Sequence, residues 1–246
     1  MRLDQELVKR GLCESREEAK ECIEKGFVLV DNIVVTKKTR LIHDTSLLLV
    51  TQRRKFVSRG GDKLEGILTA VYGSEKAVRA SLRGTYALDV GSSTGGFTDC
   101  LLSYGVTHVI AVDVGTAQFH KKLLDTTNIT LFENTDIRNF STEKSFDVIV
   151  ADVSFIALNK ILDIIISFGN SRTQYFLLIK PQFEVGFGNT KKGIVKNEEL
   201  VQEVLTSYKK LLVEKNFSTI KIFPCVIQGG DGNQEYFIYA QQSTTL

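Results

Sequence analysis

The chain has 246 residues, of which 43% are hydrophobic and 24% are charged, and its formal net charge is only +2. This length and apolar content can bury the cores of one large domain and a small one. The near-neutral charge does not indicate a nucleic-acid-binding protein as a whole, so any basic surface must be local. No apolar run approaches the ~20 residues that span a bilayer, and residues 1–6 lack a signal-peptide core, which predicts a cytoplasmic protein with no membrane partner.

The four cysteines, Cys13, Cys22, Cys100 and Cys225, show no Cys-x-x-Cys spacing and stand in otherwise periodic segments. Disulfide frameworks and metal sites usually show regular short spacings, so packed thiols are the favoured interpretation. The sequence therefore predicts neither a disulfide framework nor a metal site.

Residues 3–50 have the pattern of a small separate α+β unit. Apolar residues at helical spacing predict a first helix that begins at Leu3 and ends at Gly11. A capping box at residues 15–18 predicts a second helix that ends near Gly26. Three apolar runs then predict short strands, at residues 27–30, 33–35 and 46–50.

Basic side chains occur throughout this unit and in the polar segment 51–55 that follows it. Acidic residues of the second helix partly cancel their charge, so charge alone does not decide between a solvated face and an RNA-binding face. Segment 51–55 predicts a linker, which sets the expected domains at residues 1–54 and 55–246. The candidate RNA contacts in this part of the chain are Arg2, Arg10, Arg16, Lys20, Arg53 and Arg54.

From Tyr86 onward strand and helix patterns alternate, which is typical of a mostly parallel sheet with helices on both faces. The apolar runs predict strands at residues 86–90, 108–112, 129–132, 148–151 and 175–179. One of the predicted helices covers residues 158–168. Two final apolar runs, 219–227 and 236–240, have no helix between them and should pair antiparallel. The predicted fold class is therefore α/β, with a mostly parallel seven-stranded sheet and a small N-terminal α+β domain.

A glycine-rich loop, residues 91–96, follows the first strand of this sheet. Its Gly-x-x-x-Gly-Gly spacing matches neither the dinucleotide fingerprint nor the phosphate-binding loop. Because the loop has no basic residue, it favours a nucleotide-like cofactor without phosphate. S-adenosyl-L-methionine meets this condition, so the pattern indicates a Rossmann-like methyltransferase.

Two aspartates follow the next strands and could hold such a cofactor. Asp113 closes the second strand, where an acidic residue commonly binds ribose hydroxyls. Asp136 follows the third strand and could bind the exocyclic amine of adenine, although an ordinary surface carboxylate is an alternative. The candidate cofactor residues are Asp89, Gly91, Gly95, Phe97, Asp113 and Asp136.

The methyl acceptor depends on residues outside the glycine loop. Segment 151–155 lacks the Asn/Asp-Pro-Pro-aromatic stretch of enzymes that methylate base amines. Carbon-5 methylation of pyrimidines needs a nucleophilic cysteine, but Cys225 lies in an apolar run that favours a packed thiol. Four polar residues at or beside the ends of apolar runs should converge on one crevice; they are Lys63, Asp152, Lys180 and Glu235.

These four residues resemble the Lys-Asp-Lys-Glu tetrad of FtsJ-type ribose 2′-O-methyltransferases. The helix, helix, strand order of the N-terminal unit resembles the S4-type RNA-binding domain of a small-subunit ribosomal protein. Over nearly its whole length the chain is similar to the TlyA family, also called hemolysin A. The segments that carry this similarity are 57–64, 93–98, 152–156, 180–186 and 232–237.

The resemblance implies S-adenosylmethionine-dependent methylation of a cytidine 2′-hydroxyl in ribosomal RNA. Large-subunit rRNA is favoured because little sequence follows Ala240, and the expected partner of a monomeric enzyme is rRNA or a ribosomal subunit. A non-catalytic RNA-binding or ribosome assembly factor is the alternative. A pore-forming hemolysin is disfavoured because no amphipathic insertion segment is present.

Roles within the tetrad follow from the chemistry of a poorly nucleophilic hydroxyl. Lys180 is expected nearest that hydroxyl, acting as base if neutral, and Asp152 shares the central proton and positioning roles. Lys63 and Glu235 are expected to orient the hydroxyl and the lysines, and no metal is required. Arg59, Lys191 and Lys192 are further candidate RNA contacts, recognising folded RNA by its shape and phosphates.

Overall fold

The computed structural model describes residues 1–52, 54–186 and 188–242. The contacts divide the chain into two compact units, Met1–Lys55 and Phe56–Leu246. In the part of the chain that is described, no helix has both the length and the hydropathy of a membrane span.

The first unit packs two helices on a small antiparallel sheet. Its elements are α1 (Leu3–Lys9), α2 (Arg16–Glu24), β1 (Val28–Val30), β2 (Ile33–Val34) and β3 (Leu48–Val50). The strands are ordered β2-β1-β3. One half of the predicted capping box is present, because the Ser15 hydroxyl accepts a hydrogen bond of 3.1 Å from the backbone amide of Glu18, whereas the Glu18 carboxylate accepts from the amide of Glu14 at 2.6 Å. Leu3, Leu7 and Ile23 are fully buried in the core of this unit.

The second unit is built around one twisted sheet. Its described strands are β4 (Tyr86–Val90), β5 (His108–Val112), β6 (Ile129–Phe132), β7 (Val148–Ala151), β8 (Gln174–Ile179), β9 (Phe217–Pro224) and β10 (Tyr236–Gln242). They are ordered β6-β5-β4-β7-β8-β10-β9. Pairs among β4 to β8 are parallel, whereas β10 is antiparallel to both β8 and β9. The predicted α/β class, the mostly parallel seven-stranded sheet and the final antiparallel pair are confirmed.

Helices cover both faces of this sheet. They are α3 (Arg59–Tyr72), α4 (Glu75–Leu82), α5 (Gly96–Ser103), α6 (Lys121–Leu124), α7 (Leu162–Ser167), α8 (Pro181–Glu184) and α9 (Glu198–Glu214). Along β4, Leu88 packs with Leu212 of α9 on one face, and Ala87 packs with Leu64 of α3 on the other. Because successive side chains of a strand point to opposite faces, a strand buried on both sides needs an uninterrupted apolar run. This explains why the central strands could be predicted residue by residue.

Two predicted elements differ from the structure. Residues 158–168 do not form one helix, because a 3₁₀ turn, Leu158–Lys160, precedes α7. The amides of Leu158 and Asn159 donate to Glu184 and Tyr208, at 2.9 and 2.8 Å, which fixes this turn separately from the helix. The strand predicted over 219–227 ends at Pro224.

Candidate active site

The glycine loop after β4 forms one wall of a crevice at the carboxyl end of the sheet. Gly91 has φ +80°, and a Cβ atom there would lie 2.5 Å from the backbone oxygen of Asp152. Gly95 has φ +87°, and its Cβ would lie 2.6 Å from the side chain of Leu123. Both positions therefore require glycine, for conformation and for space. The chain from β4 can thus pass directly against the chain leaving β7.

A cleft of about 300 Å³ lies against this loop and includes Gly91, Asp113, Asp136 and Asp152 among its lining residues. Asp113 is held by the backbone on both sides of the crevice. Its carboxylate accepts hydrogen bonds from the amides of Ser93, at 2.7 Å, and Gly115, at 2.6 Å. A carboxylate has about four acceptor positions, so Asp113 can still accept from a pair of ribose hydroxyls.

Asp136 has a strong partner of its own within the protein. Its carboxylate accepts the backbone amide of Arg138 at 2.9 Å and forms an ion pair with that guanidinium at 2.5 Å. The side-chain and backbone hydrogen bonds from Arg138 lower the pKa of Asp136 to about 2. An adenine amine at this carboxylate would have to share it with Arg138, so the predicted role stays a prediction.

Asp89 and Phe97 lie beneath the crevice and do not line the cleft. Asp89 is fully buried, and its Oδ2 accepts a hydrogen bond of 2.6 Å from the Thr98 hydroxyl. Burial is the largest cause that raises the pKa of Asp89, to about 7, and the Thr98 hydrogen bond opposes it. Phe97 is 3% exposed and packs on Phe237, with ring centroids 5.9 Å apart. The structure therefore places both residues in the support of the crevice.

Asp89 gives a testable pH dependence of stability. In the unfolded chain its pKa returns to about 3.9, so between pH 4 and pH 7 the folded state of the protein holds more protons at this site. The free energy of unfolding of the cofactor-free protein is therefore expected to fall as pH rises across this window. In Asp89→Asn, which can still accept from Thr98, urea denaturation should show a smaller fall than in the native chain. An equal fall in both proteins would contradict the assignment.

The four tetrad side chains form two ion pairs. Lys180 follows β8 and Asp152 follows β7, and the Lys180 Nζ atom lies 2.5 Å from Asp152 Oδ1. The same ammonium donates a hydrogen bond of 2.7 Å to the hydroxyl of Ser154. Parallel neighbouring strands carry these residues to the same edge of the sheet, as the sequence pattern predicted. The pair borders the cofactor cleft, since Asp152 and Ser154 both line it.

The second pair is more deeply buried. Lys63 of α3 donates to Glu235 Oε2 at 2.5 Å, and their side chains are 10% and 3% exposed. Glu235 precedes β10 and lies beside Gly229, where a Cβ atom would be 2.5 Å from Glu235 Oε1. A buried pair of this kind keeps both charged groups in fixed positions, because separating them would leave an uncompensated charge.

Cys225 lies within electrostatic range of both pairs. Burial is the main cause that raises the pKa of its thiol, to about 12, and the charges of Glu235, Lys63, Asp152 and Lys180 all act on it as well. The thiol is 8% exposed. A thiol with so high a pKa is a poor nucleophile, which agrees with its predicted role as a packed residue and disfavours methylation through a cysteine adduct.

Most of the candidate RNA contacts on the first unit are held by carboxylates. Arg2 and Arg16 both bind the fully buried Asp4, at 2.9 and 3.0 Å. Arg10 binds Glu6 at 2.8 Å and donates to two backbone oxygens. Arginine has five N–H donors, so each could still bind a phosphate with its remaining groups. Their RNA-binding roles stay predictions.

The other candidate contacts differ in their surroundings. Lys20 lies 3.9 Å from Glu17, and Arg54 forms an ion pair with Glu21. Arg59 donates to the backbone oxygen of Gln228 at 2.5 Å. The remaining three residues are Lys191 and Lys192, both exposed, and Arg53, which lies outside the described residues.

Two residues near Lys180 were not singled out as candidates from the sequence. Ser154 orients the lysine ammonium, as described above. Phe155 is 92% exposed, has φ +65° and packs on Phe183, with ring centroids 5.4 Å apart and the rings tilted by 49°. Phenylalanine side chains are more often buried than exposed, so the exposure of Phe155 at the mouth of the cleft could be found only from the structure.

The sheet is open and mostly parallel, and its glycine loop has no basic residue that would bind a phosphate. A carboxylate suited to ribose hydroxyls lies in the cleft, and a lysine–carboxylate pair borders it. Together these features define an S-adenosylmethionine-dependent methyltransferase. A family model of FtsJ-like methyltransferases matches residues 56–242, and a model of the S4 domain matches residues 1–42. The chain belongs to the hemolysin A/TlyA group of the FtsJ-like methyltransferase family.

Relatives with established names are similar over nearly the whole chain. The 16S/23S rRNA (cytidine-2′-O)-methyltransferase TlyA of Mycobacterium tuberculosis is 34% identical over 249 residues, covering 99% of this chain and 90% of that protein. The 23S rRNA (cytidine-2′-O)-methyltransferase TlyA of Campylobacter jejuni is 33% identical, covering 94% and 96%. A solved structure from Streptococcus thermophilus, described as a hemolysin, has a TM-score of 0.74 and 33% identity, covering 100% of this chain and 89% of the other.

The methyl donor of this family is S-adenosylmethionine, and the residues of the cleft fit it. Gly91 leaves no side chain between the cleft wall and the backbone of Asp152. Asp113 presents acceptors for ribose hydroxyls, and carboxylates beside the cleft favour a cationic sulfonium over a phosphate.

Proposed function

We propose that this protein transfers a methyl group from S-adenosylmethionine to the 2′-hydroxyl of a cytidine in ribosomal RNA. The observation that carries the proposal is the pair of lysine–carboxylate contacts beside the cofactor cleft, with Lys180 at its border. A ribose hydroxyl needs both alignment and removal of its proton, which such a site can supply. Both named relatives act on 23S rRNA, which supports the large subunit as the target.

The two ion pairs of the tetrad have different roles in the proposed reaction. Bound S-adenosylmethionine supplies the electrophilic methyl group. Asp152 and Ser154 fix the Nζ atom of Lys180, which in its neutral form accepts the hydroxyl proton as the new C–O bond forms. Lys63 and Glu235 hold each other and orient the ribose from the buried side. In this arrangement each lysine gains or loses its charge while a carboxylate lies beside it.

Phe155 offers a surface for the base of the target nucleotide. Its ring is exposed, lines the cleft with Asp152 and Ser154, and packs on Phe183. Enzymes that act on nucleotides within folded nucleic acid extrude the target and stack it on aromatic side chains. A cytosine stacked on Phe155 would bring its own ribose toward Lys180.

We propose that both domains of the chain bind RNA. Residues 1–54 act as the S4-type RNA-binding domain and linker, and residues 55–246 act as the methyltransferase domain. The exposed Lys191 and Lys192 add positive charge in the second domain. We propose a monomer acting in the cytoplasm on rRNA or on a ribosomal subunit.

The test is ribose-methylation mapping on rRNA from cells that lack the protein. Isolated large subunits, small subunits and free rRNA are incubated with the purified chain and methyl-labelled donor. We expect one new 2′-O-methylcytidine in large-subunit rRNA. Label on a base, or tight rRNA binding without any methyl transfer to these three substrates, would contradict the proposal, and the second outcome would favour the assembly-factor alternative.

A further inference from the structure

Three side chains that commonly bind metals meet in the first unit, at the start of α2. They are Cys13, Glu18 and Cys22, and their sulfur and carboxylate oxygen atoms all lie within 4.8 Å of one another. Both cysteines are 2% exposed, and Glu18 is half-buried. None of the three takes part in the methyl-transfer site, so their proximity needs a separate explanation.

The local fold fixes all three groups. Glu18 and Cys22 are four positions apart on α2, which places their side chains on one face of the helix. Cys13 lies in the turn before the helix, where its amide donates to the backbone oxygen of Leu7 at 3.2 Å. Ser15 caps the helix between them. Backbone structure therefore fixes the positions from which the three side chains of the cluster extend.

The donor atoms of the cluster suit a cation. Glu18 contributes a carboxylate oxygen beside the two sulfur atoms. A bound divalent cation deprotonates the thiols that coordinate it. The Cys22 thiol also lies 3.8 Å from the backbone oxygen of Gln52, which adds a neutral oxygen at the same place.

We propose that Cys13, Glu18 and Cys22 form a binding site for a thiophilic divalent cation of the zinc type. Two sulfurs and one carboxylate oxygen are three of the four ligands of a tetrahedral site, and water or the Gln52 oxygen completes it. In that geometry the ligand atoms are roughly 3.5–3.8 Å apart, given the bond lengths of such sites. Separations below 4.8 Å therefore need only small side-chain shifts.

Binding changes protonation and involves no redox step. The two thiols release their protons to solvent, two metal–sulfur bonds form, and the carboxylate adds the third bond. Glu18 Oε2 accepts the amide of Glu14 at 2.6 Å, so its other oxygen is the one offered to the metal. The cation would join the turn at Cys13 to α2 and stabilise the proposed RNA-binding domain.

The probe is Co²⁺, which shows visible and thiolate charge-transfer absorption in tetrahedral sulfur sites. The full-length chain is reduced, stripped with a chelator and titrated. We expect one equivalent bound, with bands that disappear in Cys13→Ser and in Cys22→Ser and at least tenfold weaker binding in Glu18→Gln. Cys100→Ser, which changes a buried cysteine of the second unit, is the matched control and should titrate as the native chain does. Added zinc should displace cobalt and raise the melting temperature of the native chain and of Cys100→Ser, but not that of Cys13→Ser or Cys22→Ser.

Several outcomes would overturn the site. Native chain that gives no charge-transfer band with micromolar Co²⁺ excludes it, whatever the variants do. Unchanged cobalt binding in a Cys13→Ser/Cys22→Ser double variant places the metal elsewhere. Loss of two titratable thiols on exposure to air, with no metal uptake by the reduced protein, would show a disulfide-forming pair instead.

Discussion

Lys180→Ala is expected to lower the rate of methyl transfer by about 10²–10⁴-fold, because it removes the group proposed to take the hydroxyl proton. Affinity for S-adenosylmethionine should change little, since Lys180 is not among the residues that line the cofactor cleft. Single-turnover transfer at saturating cofactor and RNA measures the chemical step, and calorimetry measures cofactor binding. This division between binding and rate is what distinguishes a catalytic lysine from a structural one.

Lys192→Ala is the matched control for that experiment. It also removes one lysine charge, but from an exposed position in the second unit. We expect weaker RNA binding with a shallower salt dependence and little change in the single-turnover rate. If Lys180→Ala retained native transfer while remaining folded, the tetrad would have no chemical role and the assembly-factor alternative would be favoured.

Gly91→Ala is expected to weaken S-adenosylmethionine binding by at least tenfold and to lower transfer further. The new Cβ would lie 2.5 Å from the backbone oxygen of Asp152, and 3.0 Å from its carbonyl carbon. Backbone atoms cannot rotate away as a side chain can, so the glycine loop and the chain after β7 must separate. That separation would open the cofactor cleft and also displace Asp152 from Lys180.

Gly84→Ala controls for backbone strain in this comparison. Gly84 has φ +83°, close to the +80° of Gly91, but nothing lies within 4 Å of its Cβ position. Both variants should therefore lose roughly 1–2 kcal/mol of stability from the left-handed conformation. Only Gly91→Ala should lose cofactor affinity, measured by calorimetry on folded protein. Equal cofactor affinity in the two variants would show that the close approach to Asp152 has no part in binding.

The sheet could be predicted closely from sequence, whereas some connections could not. β4, β5 and β7 have the predicted bounds because their apolar runs stop where burial stops. The edge strand β6 also has the predicted bounds, although none of its residues is fully buried. The helix predicted over 158–168 was wrong at its start. Apolar periodicity could not show that the side chains of Glu184 and Tyr208, distant in sequence, bind the amides of that turn.

For the candidate site, the sequence predicted which residues come together, but it did not predict which of them form pairs. Asp152 and Lys180 follow adjacent parallel strands, and a crevice at the strand ends brings them together. That Lys63 pairs with Glu235, 172 positions away, depends on how α3 packs on the sheet. The burial of Asp89 against Thr98 and the exposure of Phe155 also depend on side-chain directions that spacing does not determine.

The position of β10 has a consequence for the order in which the active enzyme can form. Glu235 immediately precedes this strand, which is inserted between β8 and β9. The growing polypeptide has therefore already made the glycine loop, Asp152 and Lys180 before Lys63 can receive its carboxylate partner. A chain released from the ribosome before Glu235 would also lack β10, and with it the pairings to β8 and β9, so synthesis of this strand is a condition for completing both the sheet and the second lysine–carboxylate pair.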